Sequence, residues 1–336
     1  MIFQAHARVT PERAAATLSL LLVALFLIGI VALSYGTVTY SVREVWNSLV
    51  AGESEDSAVV ILRGIRLPRI LLAMVIGAGL SVAGATFQAL LRNVLAEPYI
   101  LGISSGGAAG AVLAVVLNVG FSNFSVPLFS LVGSGLVMML VYGLGHRRGF
   151  MDPNALLLSG VMAGAFFNAI ILLLVALFNQ ETRTAYLWLL GNLGSADYPA
   201  LLLVSTAVII ACVILFFHAK SLNLMAMGEE TAAFLGAEVV TLKRRSYFLA
   251  SLITGLAVSV SGIIGFVGLI IPHLCRLLFG ADHRLLLPVS FLAGAIFLVL
   301  CDFVSRVALA PTEIPVGAIT AVIGVPVFVY LLKRRG

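Results

Sequence analysis

Read from its N-terminus, the chain is a succession of long apolar runs separated by short clusters of charge, proline and glycine. Alternation of apolar and polar positions would point to strands, whereas unbroken runs point to buried or membrane-crossing helices. A hydrocarbon layer ~30 Å thick takes about 20 residues at helical rise, so runs of this length predict membrane spans. The continuous runs also argue against a barrel, whose strands alternate. Breaks at charge, proline and glycine predict helices near 15–34, 67–91, 99–118, 124–145, 155–178, 200–219, 246–264, 266–280, 288–307 and 315–332. Residues 246–280 could form one long kinked helix, but Gly262, Gly265, Gly268 and Pro272 interrupt the run. Splitting it makes the number of spans even and places both termini on one side. The first run is too long for a signal peptide. It is read as a retained helix, although Ala32–Leu33–Ser34 would pass as a cleavage site.

Composition narrows the class. Of 336 residues, 61% are hydrophobic and 10% charged, against about 45–50% and 25% in soluble globular chains. These values exclude a soluble enzyme, a disordered chain and a secreted disulfide scaffold. The fold class is an all-α polytopic membrane protein, one transmembrane domain over 1–336. Cys212, Cys275 and Cys301 lie singly in or beside apolar runs and read as small buried residues.

The net charge of +5 reflects basic residues at the ends of apolar runs. With the N-terminus inside, the inner segments hold Arg8, Arg13, Arg92, Arg147, Arg148, Lys220, Lys243, Arg244, Arg245, Arg276, Arg284, Lys333, Arg334 and Arg335. The outer ones hold only Arg43, Arg63, Arg66, Arg69, Arg183 and Arg306. This bias predicts both termini in the cytoplasm. Trp46 and Trp188 fall in outer segments, where an indole can sit at the headgroup level.

Two connections are long. The outer segment 35–62, with Glu53, Glu55 and Asp56, reads as a solvated loop with a short helix. The inner segment 220–245 has its acids first and its bases last, which suits one or two short helices under the macrodipole rule. Ala232, Ala233, Phe234 and Leu235 give it an apolar patch. Such a helix could lie on the lipid surface or dock a cytoplasmic partner, and the residues alone leave both open.

Several chemistries are missing. A phosphate-binding Walker A loop ends in Gly–Lys–Ser/Thr, and none of Lys220, Lys243 and Lys333 follows a glycine. Ion-driven carriers keep ionisable groups near mid-membrane. Here Glu97, Asp152, Asp282, Asp302 and Glu313 sit at helix ends, and Asp302 has Arg306 four residues on as a ready ion pair. The histidines lack metal-site spacing; His273 and Arg276 read as a polar packing network beside the Pro272 kink. No metal site is expected. Glycines and serines at 102–107 read as close helix packing. Arg63, Arg66 and Arg69 defy the inside bias. Either they snorkel to lipid headgroups or they form a patch for an acidic external partner.

The segment RLPRILLAMVIGAGLSVAGATFQALLRNVLAEPYILGISSGG at 66–107 resembles the membrane permease subunit of ABC importers for iron–siderophore, haem and cobalamin, the FecCD-type family. GEETAAFLG at 228–236, SGIIGFVGLIIPHLCRLLFGADHRLLLP at 261–288 and APTEIPVGAITAVIGVPVF at 310–328 resemble its other signature stretches. Val94 departs from the family's usual proline. The resemblance implies ten helices in the type II importer permease fold, in the bacterial inner membrane. It implies a second permease subunit, two cytoplasmic ATPase subunits that use ATP and Mg, and an external binding protein. No cofactor is expected in this chain.

By the same resemblance, Gly228, Glu229, Glu230, Ala233, Leu235 and Gly236 form a coupling helix for the ATPase. Arg66, Arg69 and Arg306 match the outer basic residues that meet acidic side chains of the binding protein. Asn154, Ser159, Gly160, Gly164 and Asn168 lie where the family lines its path. The implied activity is uptake of an iron chelate by alternating access, with cobalamin as the alternative cargo. An ion-coupled secondary transporter is the alternative of another class.

Overall fold

The computed structural model describes residues 10–50, 56–118, 124–147, 150–178, 182–194 and 197–333. In chain order the helices are α1 (Pro11–Ser34), α2 (Val42–Val50), α3 (Ser57–Val59), α4 (Leu67–Leu90), α5 (Ile103–Val116), α6 (Ser125–Gly145), α7 (Pro153–Leu177), α8 (Thr182–Leu189), α9 (Tyr198–Phe217), α10 (Ala219–Ala226), α11 (Glu229–Phe234), α12 (Val239–Ser261), α13 (Val267–Phe279), α14 (His283–Val307) and α15 (Val316–Lys333). A π-helical stretch, Val60–Arg66, fuses α3 to α4, so one continuous helix runs over Ser57–Leu90. The predicted span at 67–91 therefore starts a full ten residues earlier, since nothing in 57–66 breaks it. A two-residue antiparallel pair, β1 (His146–Arg147) and β2 (Phe150–Met151), closes the turn from α6 to α7.

Among the described residues, α1, the fused α3–α4, α6, α7, α9 and α14 are long and apolar enough to cross a membrane; α5, α13 and α15 are shorter apolar helices. Together with the 23-residue α12 they occupy the ten predicted runs. Local chemistry starts several of them. Asp152, Asp197 and Asp282 cap α7, α9 and α14 by accepting from backbone N–H groups of the first turn, and proline stands in the first turn of α7 and α9.

The core is organised around α4, whose most apolar window is 83% buried, against 17% for α1 and for α7. It packs on α14, α12, α13 and α9. In lipid, helices gain little from hiding apolar surface, so backbones must approach closely to gain van der Waals contact. Gly77 faces the backbone of Gly294 on α14, and Gly84 faces Gly268 on α13. At 102–107, the expected packing is realised on α6. A Cβ on Gly106 would meet the carbonyl of Gly133 at 2.6 Å, and one on Gly107 would meet Ser134 Oγ at 2.5 Å.

Residues 246–280 divide into α12 and α13, separated by 262–265 with no helical bonding and by Phe266 in the left-handed region at φ 69°. Irregular backbone at membrane depth must find partners within the protein. Here Phe266 N–H donates to the carboxylate of Glu97, itself 7% exposed, and Asn192 N–H donates to Ser261 O at 2.8 Å. Gln88 Nε2 reaches Gly268 O and Leu269 O, while Arg276 Nη1 donates to Gln88 Oε1 at 3.2 Å. The polar network expected around His273 and Arg276 thus includes Gln88.

The segment 220–245 holds two short helices, α10 and α11, followed by the start of α12. The macrodipole reading holds for Glu229 and Glu230 in the first turn of α11 but needs correction for the bases. Lys243, Arg244 and Arg245 lie near the N-terminal end of α12, where the helix dipole disfavours cations.

Candidate functional site: the α11 face and a buried arginine cluster

At one end of the bundle, α11 is set between two glycines that the backbone requires. Gly228 has φ 114° and Gly236 φ 87°. Gly236 N–H donates to Ala233 O at 3.0 Å and Ala237 N–H to Ala232 O at 2.9 Å, the pair of bonds by which a left-handed residue ends a helix. The apolar patch read from the sequence divides at this helix. Ala232 is fully buried against Met225 and Leu242, whereas Ala233 and Leu235 are exposed and Phe234 is 91% exposed. An apolar tip projecting into water is costly unless something covers it.

Glu229 fixes this helix to the bundle. Its Oε1 lies 2.5 Å from Lys243 Nζ and 3.9 Å from Arg92 Nη2. Lys243 is 3% exposed and also donates to Met151 O at 2.9 Å, two residues before α7. The opposing carboxylate compensates the misplaced cation on α12. One ammonium thereby joins α11, α12 and the entry to α7. A cavity of 760 Å³ opens beside it, lined in part by Arg92, Tyr142, His146, Glu230 and Arg244. Nearby, Asp282 bonds Arg284 and Asn223. The Arg284 guanidinium and these hydrogen bonds hold its carboxyl down at about 2.

At the opposite end of the bundle, Arg66, Arg69 and Arg306, expected to meet acidic side chains of a binding protein, lie inside the protein. The three residues are 5%, 5% and 6% exposed. Arg69 Nε donates to Asp302 Oδ1 at 2.7 Å, and its Nη1 to Glu313 Oε2 at 2.8 Å. Arg306 Nε donates to Asp302 Oδ2 at 3.0 Å and its Nη2 to Ala32 O at 3.1 Å. Arg66 donates to Leu33 O at 2.6 Å and to Val38 O at 2.5 Å, with its guanidinium 5.3 Å from the Tyr40 ring centre. Buried charges persist only when paired and hydrogen-bonded, and these guanidiniums meet that condition with internal acceptors. Two of the acceptors, Ala32 O and Leu33 O, belong to the last turn of α1, which carries no basic residue of its own. Arg66 and Arg306 therefore complete that helix end and complement its dipole.

The predicted path residues on α7 separate onto different faces. Asn154 and Asn168 are exposed, on a stripe with Leu158, Val161, Ala165 and Leu172. Gly160 is a packing residue, because a Cβ there would meet Leu101 Cα at 2.6 Å. Gly164 lies against Gly102 and Ser105, and Ser159 is half-buried. The glycines thus serve the approach of α7 to the Pro98–Leu101 turn. Trp188 is half-buried and packs on the cluster around Ala108, Val112 and Ala185.

Sequence reasoning missed several partners. Helical spacing pairs Asp302 with Arg306, but Arg69 is 233 positions away, beyond any helical spacing. No local pattern ties Lys243 and Arg92 to Glu229 or singles out Phe234 within its apolar patch. A signal did exist for α2: Ser41 and Glu44 have the Ser-x-x-Glu spacing of a reciprocal cap. Ser41 N–H donates to Glu44 Oε2 at 2.7 Å and Glu44 N–H to Ser41 Oγ at 3.3 Å.

The FecCD transport family profile matches residues 21–334. The haemin transport system permease protein HmuU of Yersinia pestis is 38% identical over 328 residues, 95% of each chain. The cobalamin import system permease protein BtuC of Halobacterium salinarum is 41% identical over 280 residues, 83% of this chain and 75% of that one. A solved structure described as an inward-facing conformation of a metal-chelate type ABC transporter superposes with a TM-score of 0.84 at 31% identity, covering 95% of this chain and 99% of that one. A bundle of this form matched over nearly its whole length leaves one assignment: this multi-pass membrane chain belongs to the FecCD transport family, a transport subunit and not an enzyme.

Proposed function

We propose that the chain is the permease subunit of an ABC importer that carries an iron chelate, siderophore or haem, across the bacterial cytoplasmic membrane. It works as a pair, with itself or with a related chain, above two ATPase subunits that use ATP and Mg, and it receives cargo from an external binding protein. Ten helices cross the bilayer and both termini are cytoplasmic, in keeping with the charge bias. Cobalamin is the alternative cargo, supported by the BtuC relative.

The observation that carries this reading is α11. A six-residue helix between two positive-φ glycines leaves Phe234 91% exposed while Glu229 binds Lys243 beneath it. In the proposed cycle the ATPase grips Ala233, Phe234 and Leu235, with Glu230 at the rim. ATP-driven closure pulls α11, and the Glu229–Lys243–Met151 link passes the movement to α7. The exposed Asn154 and Asn168 stripe of α7 borders the path, a weakly polar wall from which cargo can leave. The arginine cluster serves docking indirectly, by holding the outer ends of α1, α4 and α14 as one platform.

Phe234→Asp tests this. In vesicles holding the complete transporter, it should abolish ATP-driven uptake while the permease still folds and inserts. Wild-type uptake in that variant would return α11 to a helix lying on the lipid surface.

A further inference from the structure

The short outer helix α2 divides its surface into three sectors. Val45 and Ser48 are buried and Leu49 packs beside them on the core. Arg43, Glu44 and Asn47 are exposed and polar. Val42, Trp46 and Val50, four residues apart, are 62%, 67% and 68% exposed. At 100° per residue this apolar arc lies between the buried arc and the polar one, so the helix has one face for protein, one for a second apolar medium and one for water.

What that second medium is follows from continuity. The exposed stripe of α1, Leu20, Val23, Leu27 and Val31, is the face that a membrane-crossing helix turns to acyl chains, and it is followed by Tyr35 and Val38, 54% and 46% exposed, with the small hydroxyl residue Thr37 between them. The corner between them and α2 is rigid. Arg66 holds Leu33 O and Val38 O and lies over Tyr40, Tyr40 N–H donates to Ser34 O at 2.9 Å, and a Cβ on Gly36 would strike the Arg66 guanidinium. We infer that α2 is an interfacial anchor, seated in the headgroup layer with Val42, Trp46 and Val50 turned into lipid and Arg43, Glu44 and Asn47 turned to water. Trp is the side chain best suited to that depth, and such helices sink ~5–10 Å into the boundary. The buried Arg66 is then a positioning residue that sets the angle of the anchor to α1.

Trp46 and Trp188 are the chain's two tryptophans, which makes the inference testable by fluorescence. The full chain carrying Trp188→Phe is placed in phosphatidylcholine vesicles, with and without lipids brominated near the top of the acyl chains. Trp46 emission should be blue-shifted, lose intensity with the brominated lipid more than with lipid brominated near the chain end, and resist acrylamide. If Trp188→Phe fails to fold, the difference between wild type and Trp46→Phe gives the same reading. Ready quenching by acrylamide with none by brominated lipid would overturn the anchor in favour of a face open to a soluble protein. Quenching by neither would also overturn it, in favour of a contact between chains. The test involves no ATPase or cargo, so its outcome is independent of the proposed transport activity.

Discussion

Asp302 is the residue on which the arginine cluster depends. It is fully buried, and its two oxygens each accept from a different arginine, Arg69 and Arg306. Removing one partner of a buried ion pair leaves an uncompensated charge, at a cost of about 3–5 kcal/mol. Asp302→Ala should destabilise the folded chain by that order in detergent unfolding, with little relief from added salt. A loss within the ~0.5 kcal/mol common at surface positions would contradict the cluster. Asp282 gives a second prediction. Its folded value of about 2 lies below the ordinary 3.8, so its contribution is present above that ordinary value and is lost as pH falls through about 2. Wild type should therefore exceed Asp282→Asn in thermal stability at neutral pH, and the gap should close on acidification towards pH 2. A gap constant over that range would contradict the assignment. At this scale the sequence disclosed half of each story: helical spacing paired Asp302 with Arg306, but no local pattern could bring Arg69 to it or Glu229 to Lys243.

At the scale of elements, apolar runs located the helices because lipid imposes one length and one periodicity. The run 246–280 divides for the same kind of reason, since Gly262 and Gly265 stand where helical bonding stops, while Gly268 and Pro272 lie inside α13. Arg66, Arg69 and Arg306 are buried because the C-terminal ends of α1 and α14, with Glu313 beyond α14, supply the carbonyls and carboxylates that pair them, which no rule about loop charge foresees. Small residues on α7 suit both a path and a helix contact, and the neighbours of Gly160 and Gly164 show the helix contact. The contact of α4 with α13 is the sharpest case for packing. Gly84→Leu would force the two backbones apart at Gly268 and should cost at least the ~1–3 kcal/mol of an overpacked core, read as a lowered thermal midpoint. An unchanged midpoint would mean that the helices do not meet there.

For the whole molecule, the fold places its specialised ends apart. α11 and Lys243 gather at one end of the bundle, and the arginine cluster and α2 at the other, with the buried α4 running between them. The chain has no lysine placed for a phosphate-binding loop, so in this account the work of transport enters through α11 from another subunit. Reconstitution measures this most directly. Vesicles containing the permease with its ATPase subunits and binding protein should take up a ferric chelate only when ATP is supplied, and vesicles containing the permease alone should take up none. Uptake by the permease alone, abolished by an ionophore, would contradict the account.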